Sequence, residues 1–171
     1  MHDYAAIARV ILDDYALSAW GIHGVVHWAR VLENGLRIAE STGADKEVVK
    51  LFALFHDSRR ESDGWDPDHG LRGGELAKSL RGELVHLDDD RFDLLFEACR
   101  LHTDGFVEGD VTLLTCWDAD RLDLGRVGIT PDPRRLGTKV ARELIGWANL
   151  RAIDGHEPSE VLAAWGVEEE V

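Results

Sequence analysis

The sequence predicts an all-α protein, a compact single-domain bundle of six or more helices. Apolar residues recur at three- and four-residue spacing through most of the 171 residues. No stretch sustains the two-residue alternation of a strand, and no internal repeat or low-complexity tract interrupts the pattern. Glycine, proline and acidic clusters fall between the periodic stretches, where loops belong. That length fits one domain with a sizeable core.

The stretch Val48–Asp57, VVKLFALFHD, organises the rest. Val48, Val49, Leu51, Phe52, Ala53, Leu54 and Phe55 fall all round a helix, so this helix should run through the core. Asp45 is placed to cap it. It ends on His56 and Asp57, and a carboxylate at the end of a buried helix needs a partner. A cation answers that need and suits the negative end of the helix dipole, whether it is a metal ion or Arg59 or Arg60.

In chain order, residues 3–18 carry Ile7, Val10, Ile11 and Tyr15 at helical spacing. Gly21 and Gly24 precede a second helix over 25–39, stopped by Ser41-Thr42-Gly43. After the central helix, residues 59–68 (RRESDGWDPD) form a polar loop broken by Gly64 and Pro67. Loops of this kind beside ionisable residues often belong to a site. Helices follow over 69–80 and 89–102, separated by an acidic irregular segment and ended by Asp104-Gly105. A helix over 111–124, a loop at Pro131 and Pro133, a helix over 136–151 and a short one over 157–165 complete the chain.

The formal net charge of −14 argues against binding a nucleic-acid polymer, which requires a basic surface. It leaves room for a small anionic substrate, because a metal ion or a few arginines reverse the field locally. Cys99 and Cys116 lie in apolar helical stretches and read as reduced core residues. With no secretory pattern and no apolar run that spans a bilayer, a cytoplasmic protein without a membrane partner is expected.

Eight histidines are present. His2, His86 and His156 sit in polar or terminal surroundings and are expected to be exposed, whereas His23, His27, His56, His69 and His102 lie in or beside helices. His23 and His27 are four apart and share a face. Asp118, Asp120 and Asp123 stand on an otherwise apolar helix and need partners; periodicity does not separate them, and Arg59, Arg60, Arg121 and Arg126 are available to pair with them. Imidazole with carboxylate suits a divalent transition metal, and an aspartate can bridge two ions.

The order of these residues resembles the HD-domain superfamily of metal-dependent phosphohydrolases. His27 in HWARV, His56-Asp57 in FALFHD and Asp120 in DADRL match its first His, its His-Asp doublet and its distant Asp. The Ala119-Asp120-Arg121-Leu122 context selects Asp120 over Asp118. His69 and His102 resemble the two further histidines of two-metal members, although His69 follows the doublet more closely than in many of them. The resemblance covers about residues 23–126 and leaves 127–171 as a C-terminal helical extension.

The resemblance implies a first metal site at His27, His56, Asp57 and Asp120, with Asp57 bridging to a second ion on His69 and His102. The cofactors would be one or two divalent ions of manganese, iron, zinc, cobalt, nickel or magnesium. The reaction would be attack of metal-activated hydroxide on a small phosphorylated substrate, a nucleotide or a phosphodiester. Arg59, Arg60 and Arg72 would grip phosphate, since a guanidinium forks onto its oxygens. Glu61 or His23 would move protons beside Asp57. Asp118 would orient a ligand or Arg121, and Trp65 would stack on a ring or pin its loop. A di-iron oxygenase, like the inositol and aminophosphonate oxygenases that resemble this scaffold, and a non-catalytic ligand-binding module are the competing readings.

Overall fold

The computed structural model describes residues 1–168; residues 169–171 of the expected extension lie outside the described residues. The central apolar run forms α3 (Lys46–Phe55), and Val48, Val49 and Leu51 through Phe55 are all buried. Burying side chains of this size stabilises by roughly 1.5–3 kcal/mol each, which makes this helix the hydrophobic axis of the bundle. Around it stand α1 (Tyr4–Asp13), α2 (Val25–Thr42), α4 (His69–Ser79), α5 (Asp89–Leu101) and α6 (Val111–Arg121), each packed against α3. The chain closes with α7 (Lys139–Ile153) and α8 (Ser159–Ala164), both against α2. Among the described residues there is no strand; one isolated bridge joins Arg81 and Val85.

Part of the acidic excess caps helices. Asp3, Asp45, Asp88 and Asp110 each accept a backbone N–H in the first turn of α1, α3, α5 and α6, and Thr138 does the same for α7. Such caps satisfy donors that a helix start otherwise leaves open, at about 1 kcal/mol each.

Element ends differ from the periodic reading where local chemistry intervenes. The first helix stops at Asp13, and α6 stops at Arg121, followed by a 3-10 turn over Leu124–Val127. The last long helix starts at Lys139 rather than 136, because Asp118 captures the backbone of Gly137 and Thr138 just before it.

Two glycines set how closely the site-bearing helices approach. A Cβ on Gly73 of α4 would lie 2.1 Å from the carbonyl oxygen of Phe55, and one on Gly70 would lie 2.2 Å from that of Cys99. Side chains at either position would push α4 off α3 and α5, and His69 with it.

Both cysteines are buried and free, and burial pushes both thiols well above the usual range. His2 is a correction to the sequence reading: it is 8% exposed. Its Nδ1 lies 3.0 Å from Glu47 and its Nε2 accepts from the His86 amide at 3.0 Å, fastening the N-terminus to α3. Its partners lie 45 and 84 positions away in the chain, beyond any local pattern. His86 is exposed as expected, and His156 is half-exposed.

Candidate metal centre

Five helix ends bring six side chains to one place. His27 comes from the first turn of α2, His56 and Asp57 from the end of α3, His69 from the start of α4, His102 from the end of α5 and Asp120 from the end of α6. The His27 and His56 Nε2 atoms are 3.1 Å apart, and those of His69 and His102 are 3.0 Å apart.

Asp57 stands between the two pairs and divides its oxygens between them. Oδ2 lies 3.4 Å from His27 Nε2 and 3.7 Å from His56 Nε2. Oδ1 lies 3.1 Å from His69 Nε2 and 3.6 Å from His102 Nε2. His27, His56 and Asp57 form one group able to hold an ion, and Asp57, His69 and His102 form another. Asp120 Oδ1 adds to the first group, at 3.3 Å from His27 and 3.6 Å from His56.

The outer face of each imidazole decides its tautomer. Nδ1 of His56 faces the carbonyls of Phe52 and Ala53 at 3.1 Å, that of His69 the Asp66 carbonyl at 2.7 Å, and that of His102 the Cys99 carbonyl at 2.7 Å. Nδ1 of His27 faces the Asp123 carboxylate at 2.7 Å. A carbonyl or carboxylate only accepts, so every Nδ1 carries the proton and every neutral ring turns a lone pair inward at Nε2. Lone pairs meeting at about 3 Å, with two carboxylates beside them, call for positive charge between them. The donor set therefore fits one or two divalent ions.

Protonation follows the same field. Burial and Arg126 act to lower His27, but the carboxylates of Asp120, Asp123 and Asp57 outweigh them and carry it to about 9. Burial takes His56 down to about 4. Burial would raise Asp57 and Asp120, yet the surrounding imidazoles hold both well below the usual carboxylate range. Positive charge on the ring cluster is thus favoured at His27, where a proton supplies one unit and a divalent ion two.

Asp123 is a site residue that the sequence pattern left undistinguished. It is 1% exposed, and besides His27 it accepts from Arg30 Nε at 2.7 Å and Nη2 at 3.2 Å. Arg30 also donates to the His156 carbonyl at 3.0 Å. The signal was present as two i,i+3 spacings, His27 to Arg30 and Asp120 to Asp123, which put each supporting residue one turn behind a candidate ligand. Asp118 stands 3.9 Å from Arg121, one of its expected partners, but its hydrogen bonds go elsewhere. Its oxygens accept from the Gly137 and Thr138 amides and the Thr138 hydroxyl, all at 2.8 Å, so it ties the C-terminal segment to α6.

A cavity of about 500 Å³ opens over the cluster. Asp57, His102 and Asp120 reach it from the cluster, and His23 and Arg60 flank them. His23 is held by Asp63, 2.8 Å from its Nδ1, and burial lowers its pKa despite that carboxylate. Arg60 Nε lies 3.3 Å from Asp57 Oδ1. Residues beyond 126 supply the opposite wall, through Val127, Pro131, Arg135 and Leu136.

Arg59, Arg72 and Glu61 do not line this cavity; they face a separate hollow on the far side of the loop. Arg59 donates to the Ile11 and Ser58 carbonyls. Arg72 bonds the Arg59 carbonyl at 3.0 Å and Asp66 at 2.6 Å, which clasps the 59–68 loop shut. Glu61 is solvent-exposed, 3.7 Å from Arg72. In this structure Arg59, Arg72 and Glu61 are therefore placed away from the cavity over the cluster, unlike the expectation for phosphate contacts and a proton carrier. Trp65 is 89% exposed and neither lines the cavity nor pins the loop.

No protein-family model and no curated protein matches the chain. A crystal structure described as a predicted HD superfamily hydrolase, from an uncultured Thermotogales bacterium, superposes with a TM-score of 0.66. It is 26% identical and covers 95% of this chain and 91% of its own. The chain has the HD-domain fold. In this HD domain the likeness extends well past residue 126, since 95% coverage must take in much of the segment that forms the far cavity wall. Among the described residues of the HD domain, no helix is long and apolar enough to cross a membrane.

Proposed function

We propose that this HD domain is a metal-dependent phosphohydrolase acting on a small phosphorylated molecule, a nucleotide or phosphodiester. One observation carries the reading: a buried aspartate, Asp57, turns one oxygen to each of two histidine pairs whose lone pairs converge. The solved neighbour's description as a hydrolase supports it.

Bound divalent ions would supply Lewis acidity toward a phosphoryl oxygen and lower the pKa of water. His27, His56, Asp57 and Asp120 would hold one ion, and Asp57, His69 and His102 the other. The chain does the rest by positioning. Arg60, beside Asp57 and facing the cavity, presents a guanidinium to a phosphoryl oxygen. His23, held by Asp63 at the cavity wall, is placed to exchange a proton with water or a leaving group. The apolar wall of Leu124, Val127 and Pro131 limits water and accommodates a ring or carbon chain.

The test is phosphate release from a panel of nucleotides, monoesters and diesters, run aerobically and anaerobically, by protein purified without chelators. Hydrolysis that is independent of oxygen and lost in Asp57→Ala is expected. Turnover that consumes oxygen, with iron bound, would replace this reading by an oxygenase.

A further inference from the structure

The cavity has a second charged region, separate from the histidine cluster and carried by residues 121–135. Arg121, Arg126 and Arg135 all line it, in a chain whose net charge is −14.

Several buried or half-buried arginines of this chain are closed onto carboxylates, while Arg59, on the other hollow, is held by carbonyls. Arg30 meets Asp123 at 2.7 Å, Arg72 meets Asp66 at 2.6 Å and Arg91 meets Asp45 at 2.6 Å. Arg121 and Arg126 are instead held by carbonyl oxygens. Arg121 Nη1 donates to the Phe106 and Arg135 carbonyls at 2.7 and 3.0 Å. Arg126 donates to the Ile22 and Asp123 carbonyls at 2.8 and 3.0 Å. The nearest carboxylates, on Asp118 and Asp123, stand off at 3.9 Å from each. Carbonyls fix a guanidinium in place without neutralising it.

Two further observations point the same way. Arg121 Nη2 is buried and has no partner among the described residues, an uncommon state for a charged group. The Arg135 side chain, exposed at the cavity wall, forms no ion pair among the described residues. The nearby acid Asp132 is taken by Arg134 at 2.8 Å. Guanidinium groups pre-positioned by carbonyls on the wall of a cavity, with carboxylates only at 3.9 Å or, for Arg135, in no ion pair among the described residues, are the structure of an anion subsite.

We propose that Arg121, Arg126 and Arg135 form a second anion-binding subsite, and that the substrate carries a further phosphate beyond the one presented to the histidine–aspartate cluster. This inference rests on the phosphohydrolase reading and narrows its substrate class to di- or polyphosphorylated compounds. Simple monoesters would fill one end of the cavity and leave the arginines bare.

The experiment measures calorimetric binding of imidodiphosphate, whose P–N–P bridge resists hydrolysis, and of inorganic phosphate to manganese-loaded protein freed of excess metal. The quantity read is the ratio of the two affinities. Wild type should favour imidodiphosphate by at least about ten-fold, and Arg135→Gln should cut that ratio by about ten-fold, the size of one lost charge-assisted hydrogen bond. Arg121→Gln should do the same; because Arg121 also bridges two loops, Arg135→Gln is the variant that decides if it fails to fold. Arg9→Gln, exposed on α1 and outside the cavity, removes the same charge and should leave the ratio unchanged; Arg134 is unsuitable for this purpose, because its loss would free Asp132 at the cavity wall. A wild type without preference, or an Arg135→Gln ratio equal to that of Arg9→Gln, overturns the subsite. Absence of phosphate release from every ester, with the affinity ratios as expected, would remove the hydrolase reading and leave the subsite standing.

Discussion

Asp123→Asn tests the support behind His27 with almost no change in shape. Asp123 is 1% exposed and accepts three hydrogen bonds, one from His27 Nδ1 and two from Arg30. Asparagine keeps a single acceptor oxygen and turns an N–H₂ toward a donor. Arg30, 7% exposed in its side chain, keeps that oxygen and the His156 carbonyl but loses its counter-charge, and the N–H₂ faces His27. Removing one member of a buried ion pair costs about 3–5 kcal/mol, and the retained oxygen places this case near about 3 kcal/mol. For a chain of this size each kcal/mol moves Tm by about 2–4 °C, so the melt should fall by roughly 6–12 °C. Metal affinity should fall by about 10–100-fold, because His27 loses the acceptor that fixes its tautomer. Thermal melts and titration in metal buffers read the two effects separately. Asp118→Asn is the control: an equally buried carboxylate that ties down Gly137 and Thr138 should lower Tm and leave metal affinity within about two-fold. An Asp123→Asn protein that binds metal like wild type would refute the positioning argument, whatever its Tm.

Other expectations follow from the same geometry. Arg72→Ala should loosen the loop whose Asp66 carbonyl orients His69, lowering occupancy of the His69–His102 site and leaving the Michaelis constant for substrate unchanged; a raised Michaelis constant with full metal would return Arg72 to the cavity. Gly73→Ala, which in an exposed helix would gain about 1 kcal/mol, should here destabilise by about 1–3 kcal/mol, because its Cβ meets the Phe55 carbonyl at 2.1 Å; a raised Tm would contradict the packing. Burial acts to raise Glu47, but hydrogen bonds from Lys50, Tyr4 and His2 bring its carboxyl from 4.5 down to about 2. Its stabilising contribution is then complete above pH 4.5 and fades as pH falls toward 2, so chelator-treated Glu47→Gln should lose less stability between pH 5 and pH 3 than wild type does. Equal losses in denaturant titrations would exclude Glu47 as an acid-sensitive clasp.

The sequence carried the helical architecture well because its strongest signals were local. The apolar run of α3, the Asp45 cap and the His56-Asp57 ending are short-range patterns, and the structure realises each of them. The six clustered side chains could be named because their order resembles the HD-domain ligand set; periodicity placed them on or beside helices but left Asp120 unresolved from Asp118 and Asp123. What local pattern does not carry is the direction in which a loop turns. Arg59, Glu61 and Arg72 are near Asp57 in sequence, but the Asp66 clasp turns all three to the opposite side of the loop from the cavity. Asp118 and Asp120 look alike on α6 until residues 137 and 138, almost twenty positions later, occupy Asp118. Arg121 and Arg126 invited pairing with nearby acids; they stand 3.9 Å from Asp118 and Asp123, and carbonyls hold both at the cavity wall. The cavity itself needed the segment after residue 126, whose contribution only the folded chain reveals.

The central claim is that Asp57 joins two ion-holding groups, and metal stoichiometry tests it most directly. Elemental analysis of protein reconstituted with manganese and freed of excess should give close to two ions per chain in wild type, one in His102→Ala and none in Asp57→Ala. Full occupancy in Asp57→Ala, or no bound metal in wild type, would contradict it.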